Sequence, residues 1–281
     1  MYLRRSLFAA GSVLAAAAAL ALSGASAASA GTHPDRASQV AAARAALSRL
    51  SVPGTQHHFA GATQRVRGLA KVTSDNWSGY ADTGAGYSRV SSSWIEPAVT
   101  CGSSTTIAAF WVGIDGYSSR SVEQGGTLAQ CSGGTASYWT WWEHYPANAV
   151  QPVGFSVRPG DKITASVIRS GTSYTVKVTD STRTANSFSK TFTCSAKSCK
   201  DTSAEWIAEA PSDSSGTLPL AHFSKWTASR DAVATTSKSG SISSFPDSEI
   251  TMTGSSRDTK AAPSALNSGG TSFGVTWHHS T

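Results

Sequence analysis

Past residue 30, this 281-residue chain has no apolar run long enough to cross a bilayer, which takes about 20 residues. It has no Gly-x-Ser-x-Gly elbow, no P-loop and no paired-glycine dinucleotide fingerprint. It also has no Cys-x-x-Cys and no His-Glu-x-x-His, so the common local signatures of zinc ligation are missing. A Ser-His-Asp arrangement has no local motif in its favour, although its members need not be neighbours in sequence. After the first 71 residues there is no helical period and no repeat. Carboxylates are scarce enough to be informative, with 17 Asp and Glu in the whole chain.

What is present divides the chain in three. Arg4 and Arg5 precede an alanine-rich apolar run from Leu7 to Leu22, and Ala25-Ser26-Ala27 and Ala28-Ser29-Ala30 offer small-x-small cleavage sites. Residues 1–30 therefore read as a secretory signal peptide, and the protein as secreted and extracellular. Residues 31–71 read as a basic propeptide. Within it Val40, Ala43, Leu47 and Leu50 are at helical spacing, so Gln39 to Leu50 is predicted as a short basic helix ended by Pro53-Gly54. Residues 72–281 form the remaining domain.

Charge follows the same division. Residues 1–71 hold 8 of the 23 Lys and Arg but only Asp35 of the acids, so the formal +6 of the chain becomes about −1 for 72–281. The basicity belongs to the leader and leaves with it, so nucleic acid and membrane are discounted as partners. A removable basic segment suits a propeptide that pairs with acids in a cleft, with Lys71 or Arg67 docking there. The expected partners are thus polypeptide substrates and the chain's own propeptide, around a monomer.

Four cysteines, all after the leader, favour two disulfides in an exported protein. Connectivity is not readable from sequence. Cys194 and Cys199 bracket a four-residue loop short enough to close a hairpin, which leaves Cys101 with Cys131. From Asn76 on, about ten short alternating segments separated by Gly, Ser, Asn and Asp point to an all-β, antiparallel sandwich. The hairpin between Asp161 and Asp180, turning at Ser170-Gly171-Thr172, is the clearest local prediction. Glycines 113, 116, 125, 126, 133 and 134 are read as turns.

Ala109 to Pro146 organises the domain. Tyr138, Trp139, Trp141 and Trp142 load both faces of one strand with aromatics, so each face needs either a second sheet or a ligand over it. Gln124, followed by two glycines, carries an amide able to donate to an oxyanion without titrating. Glu205 and Glu209 share a strand face with Ile207 in an otherwise apolar segment, where burial would raise a carboxyl's pKa and suit acid–base work. Four residues apart on a strand they stand about 13 Å apart, too far for a glycosidase pair. Glu143 or Glu123 remains available as a second acid.

Asn76-Trp-Ser-Gly-Tyr80, Phe110-Trp-Val-Gly-Ile-Asp-Gly116, Val122-Glu-Gln-Gly-Gly126, the segment 137–146 and Ala204-Glu-Trp-Ile-Ala-Glu209, in that order, resemble the motif set of the glutamic peptidases, the G1 or eqolisin family. The resemblance covers most of 76–210. It implies a lectin-like double β-sandwich and a pepstatin-insensitive acid endopeptidase needing no cofactor and no metal. It also implies a Gln/Glu dyad, carried over to Gln124, where the family shows Leu-Gln-Thr-Gly, and to Glu205. On this reading Glu205 starts ionised and acts as base and then acid. Gln124 steadies the oxyanion, Trp111, Tyr138 and Trp141 line substrate subsites, and Asp115 and Glu143 hold loops and hydrogen bonds around them. The alternatives are a secreted carbohydrate-binding sandwich module, or a glycosidase using Glu143 and Glu205.

Overall fold

The structure is a computed structural model that describes Ala41, the backbone of 60–66, and residues 69–213 and 215–281. The expected signal peptide lies outside the described residues, as does the basic helix apart from Ala41.

From Ala60 on, the regular structure of the described chain is β apart from two single 3-10 turns. Its strands are β1 (Ala60–Val66), β2 (Leu69–Ser74), β3 (Trp77–Thr83), β4 (Tyr87–Ile95), β5 (Thr106–Ile114), β6 (Val122–Ser132), β7 (Thr135–Tyr145), β8 (Asn148–Gly154), β9 (Lys162–Ser170), β10 (Ser173–Asp180), β11 (Phe188–Thr193) and β12 (Ser203–Glu209). They continue with β13 (Ser212–Asp213), β14 (Gly216–Thr217), β15 (Lys225–Thr235), β16 (Ser239–Gly240), β17 (Asp247–Thr253), β18 (Thr259–Pro263) and β19 (Ser272–Trp277).

Two layers follow from the pairings. The first runs β1-β2-β17-β3-β12-β5-β6-β7-β8, antiparallel except where β2 lies parallel to β17. The second runs β19-β15-β4-β9-β10-β11, and β18 joins the layers by pairing with both β17 and β19. Alternation decides what each face does. Phe110, Val112, Trp206 and Ala208 point between the layers and meet Val90, Trp94, Val167, Val176 and Trp226 of the second sheet. Trp111, Trp139, Trp141 and Ile207, on the other face of the first sheet, form a separate aromatic cluster with Trp77 and Leu128. The first sheet is therefore apolar on both faces, as the doubled aromatics of β7 required.

β9 and β10 form the expected hairpin, closing with Ser170 opposite Ser173 and Gly171 at φ 62°. Glycines 116, 133 and 134 take positive φ in turns. Glycines 113, 125 and 126 do not turn: they lie inside β5 and β6 because their neighbours leave no room. A Cβ on Gly126 would stand 1.9 Å from the Phe110 carbonyl oxygen, and one on Gly125 would stand 2.5 Å from Val176 Cγ1. The expected boundary at 71/72 falls within β2, and Lys71 pairs with Glu249 of β17 at 2.7 Å.

Both disulfides form, Cys101 with Cys131 and Cys194 with Cys199. The first closes 30 residues around β5 and the start of β6. In the chain-entropy account a loop of that size contributes about 3–4 kcal/mol. Replacing both Cys101 and Cys131 by Ser is expected to lower the melting temperature by about 10 °C, checked by calorimetry. A change under two degrees would mean the loop is held without the bridge.

Candidate active site

The central strands of the first sheet put the candidate residues into rows. Glu205, Gly113, Gln124 and Glu143 stand side by side across β12, β5, β6 and β7, followed two residues on by Ile207, Trp111, Gly126 and Trp141. Glu209, Ala109, Leu128 and Trp139 make the next row. The ten that carry side chains point to the aromatic face.

Gln124 Nε2 donates to Glu143 Oε2 at 2.6 Å. That bond fixes the amide, so its Oε1 faces away from Glu143, and this buried oxygen has no partner among the described residues. Trp111 connects this pair to the far row. Its indole Nε1 donates to Glu209 Oε2 at 2.7 Å, while the other end of the ring lies over Gly113. A Cβ at Gly113 would meet Trp111 Cζ3 at 3.0 Å and Gln124 Cβ at 3.1 Å, so the missing side chain lets the indole reach from Glu209 to Gln124. Asn76 Nδ2 approaches Glu209 Oε1 at 3.4 Å.

Burial raises every carboxyl here. Glu143 is pushed up to about 7, against the pull of the Gln124 donor. Glu209 is pushed up to about 8 by burial and by repulsion from Glu143, against the donors Trp111 and Trp77. The two glutamates thus feel each other as like charges across the site, and ionising one holds the other's proton in place.

Glu205 is placed differently. It is fully buried, at 0% exposure, and burial holds its carboxyl well above the usual range. Neither of its buried carboxyl oxygens has a hydrogen-bond partner among the described residues, and the like charges that add to the shift are Asp115 and Glu123 rather than Glu143. It sits in the same row as both, two strands from Gln124 and three from Glu143. Sequence reasoning weighed Glu209 only as a partner for Glu205. Period two puts both acids on the cleft face, and only the row of Trp111 separates them.

The expected subsite residues divide by face. Trp111 and Trp141 stay with Gln124, and Trp139 joins them. The indole N–H groups of Trp139 and Trp141 have no acceptor among the described residues. Tyr138 lies on the opposite face, packs on Ala129 and Val157, and takes the Val99 N–H at its hydroxyl, 3.0 Å away, so it lines no subsite here. Asp115, at φ 69°, accepts the backbone N–H groups of Lys200, Asp201 and Thr202 at 2.6, 2.8 and 2.9 Å. It ties the turn after β5 to the entry of β12 and is closed off from the cleft. Behind the site, on the other face, Glu123 and His144 lie beside the Cys194–Cys199 bridge, with the four ligand-type atoms within 4.8 Å of one another. The two sulfurs are bonded to each other, so neither is the thiolate that zinc takes as a ligand.

The fold and the face define a class: a double β-sandwich whose first sheet carries an amide and two buried carboxyls of raised pKa among tryptophans. Residues 75–277 match the model of the Peptidase A4 family, and the chain belongs to that family. It is a glutamic endopeptidase, active in acid. Aspergillopepsin-2 of Aspergillus niger is 29% identical over 193 residues, covering 59% of this chain and 67% of that protein. The crystal structure of scytalido-glutamic peptidase with a peptide-based transition state analog is similar at TM-score 0.61 and 26% identity, over 73% of this chain and 98% of the other. The eqolisin SCP-B, in complex with the tripeptide Ala-Ile-His, is similar at TM-score 0.58 and 25% identity over the same shares.

Proposed function

We propose that this chain is a secreted acid endopeptidase in which Gln124 and Glu209 act on the scissile peptide bond, with Glu143 holding Gln124. The observation that carries this is the Trp111 indole, bonded to Glu209 at one end and lying at the other over Gly113, the neighbour of Gln124 in the sheet. Glu209 takes the part that the motif resemblance gave to Glu205, because it shares an electrostatic environment with Glu143, the partner of Gln124, whereas the charges acting on Glu205 are Asp115 and Glu123.

With its proton held up to about 8, Glu209 begins in acid as a carboxylic acid rather than as a carboxylate. Water rests on the unpartnered Gln124 Oε1. As it attacks the scissile carbonyl carbon, Glu209 passes its proton to the carbonyl oxygen and takes one from the water at its other oxygen. The carboxyl is left neutral and the adduct a geminal diol. The second N–H of Gln124 donates to the same substrate oxygen while charge develops on it. In the collapse Glu209 protonates the leaving nitrogen and receives the diol proton as the C–N bond breaks. Trp139 and Trp141 offer their indole N–H groups to the substrate backbone. On this scheme activity persists through the acid range and falls as pH rises through about 7 to 8, where Glu143 and Glu209 ionise.

Residues 1–30 serve export and 31–71 inhibition before processing. The test is cleavage of an unfolded protein at acidic pH by purified, acid-processed enzyme, beside Gln124→Ala. Loss of one oxyanion donor costs about 10²–10³ in kcat. Wild-type cleavage with a folded Gln124→Ala protein reduced by at least that factor supports the scheme, and an inert wild type rejects it.

A further inference from the structure

From residue 72 on the sequence holds 15 basic and 16 acidic residues, a balance that predicts little attraction for polyanions. Burial separates the two signs. Eleven of those acids are buried, and among the described residues Asp258 alone is exposed, whereas twelve of the bases are exposed. The solvent meets a cationic molecule that the formal charge hides.

The asymmetry is sharpest on the outer face of the second sheet, where β4, β9, β10 and β11 pair in register. Sixteen side chains alternate outward on these four strands. Eleven are Ser or Thr, three are Arg89, Lys162 and Lys177, none is Asp or Glu, and none is aromatic. The other two, Ile95 and Ile168, are the exposed large hydrophobics of the described chain. At one side the face dips into a groove of about 640 Å³ whose rim carries Lys162, Lys225 and Arg230. Its single lining carboxyl, Glu96, is 1% exposed and accepts the Trp94 indole N–H at 3.2 Å.

We propose that this face, from Arg89, Lys162 and Lys177 to the Lys225 and Arg230 rim, binds an acidic polysaccharide. Rows of hydroxyls on a twisted sheet can hydrogen-bond a hydroxyl-rich polymer, and the sparse cations meet carboxylate or sulfate groups along it. A nucleic acid would find no exposed aromatic ring here on which to stack a base, since Trp94 in the groove wall is 3% exposed. A peptide strand binds at a sheet edge through its backbone, and this surface is a sheet's middle. Carboxyls beneath the face do not offset the cations in acid: burial pushes Glu96 up to about 8 and Asp231 up to about 8. Bound this way the enzyme is anchored to an anionic matrix while its catalytic sheet stays free.

The acid-processed enzyme would be titrated with chondroitin sulfate at pH 5, with neutral dextran and duplex DNA as comparisons. A variant carrying R89Q, K162Q, K177Q and K225Q removes four charges from the face, and one carrying R120Q, K197Q, K238Q and R257Q removes four exposed charges elsewhere. The expected result is salt-sensitive binding of chondroitin sulfate, weakened at least about tenfold in the face variant and within about twofold of wild type in the other, with peptide hydrolysis unchanged in both. Lys177→Glu alone gives the same direction where the fourfold variant folds poorly. Equal losses in the two variants, DNA bound more tightly than the glycan, or no binding at low salt would each overturn the proposal.

Discussion

Glu209→Gln is expected to reduce peptide hydrolysis by at least about 10³-fold, while Glu205→Gln leaves most of it. The amide at 209 keeps the shape and still accepts from Trp111, but it has no proton to exchange between carbonyl oxygen, water and leaving nitrogen. Glu205 is hidden at 0% exposure among Ser203, Tyr117 and Asp115. Changing it to Gln exchanges one neutral buried group for another, so its effect belongs on stability. The two rates, measured on one peptide at acidic pH with circular dichroism to check folding, separate the roles. A dead Glu205→Gln protein with native spectrum and melting temperature, beside an active Glu209→Gln protein, reverses the assignment. Glu143→Gln refines the scheme. It keeps an acceptor for Gln124 but removes the like charge facing Glu209, so the alkaline limb of the pH profile should move down while the acid plateau stays.

Much of the architecture was legible in the sequence, because period two over Phe110–Gly116 and Tyr138–Glu143 states which side chains share a face. The Asp161–Asp180 hairpin was legible for the same local reason, and the four-residue loop between Cys194 and Cys199 suggested a pairing that the count of cysteines could not give. β6 was not: Gly125 and Gly126 read as a turn, and the contact that requires them comes from Phe110 and Val176 on other strands. Gln124 stood out through its motif. Which glutamate it works with did not, since alternation puts Glu205 and Glu209 on one face and only the position of the Trp111 ring distinguishes them. Surface charge was the largest gap. Net charge counts buried and exposed groups alike, and here the acids went inside while the bases stayed out.

That burial of acids sets the second large effect: the folded protein should be most stable in acid and unfold as pH rises toward 9. Asp82 is pushed up to about 9 by burial and by Asp247, and Glu96, Asp231 and Glu209 to about 8 and Glu143 to about 7 chiefly by burial. Each carries a folded pKa above its unfolded value, so its contribution is fully present below about pH 4 and is lost as pH climbs through the folded value. One such group over one pH step is worth about 1.4 kcal/mol, so two of them over three steps remove about 8 kcal/mol. That is comparable with the whole stability of a domain, about 5–15 kcal/mol. His144 and Lys260 work the other way, since burial lowers their pKa values, but they are two groups against five. Calorimetry from pH 3.5 to 9 should find the melting temperature falling from about pH 5 and continuing to fall through about pH 8. Asp231→Asn, which keeps an acceptor for the Ser92 hydroxyl that now bonds Asp231 at 2.5 Å, should flatten the curve in proportion to the charge it removes. A melting temperature that holds or rises to pH 8 would mean that water reaches these carboxyls and that they ionise in the folded state. Glu209 would then lose the buried environment that keeps it protonated, and the neutral-carboxyl mechanism would fall with it.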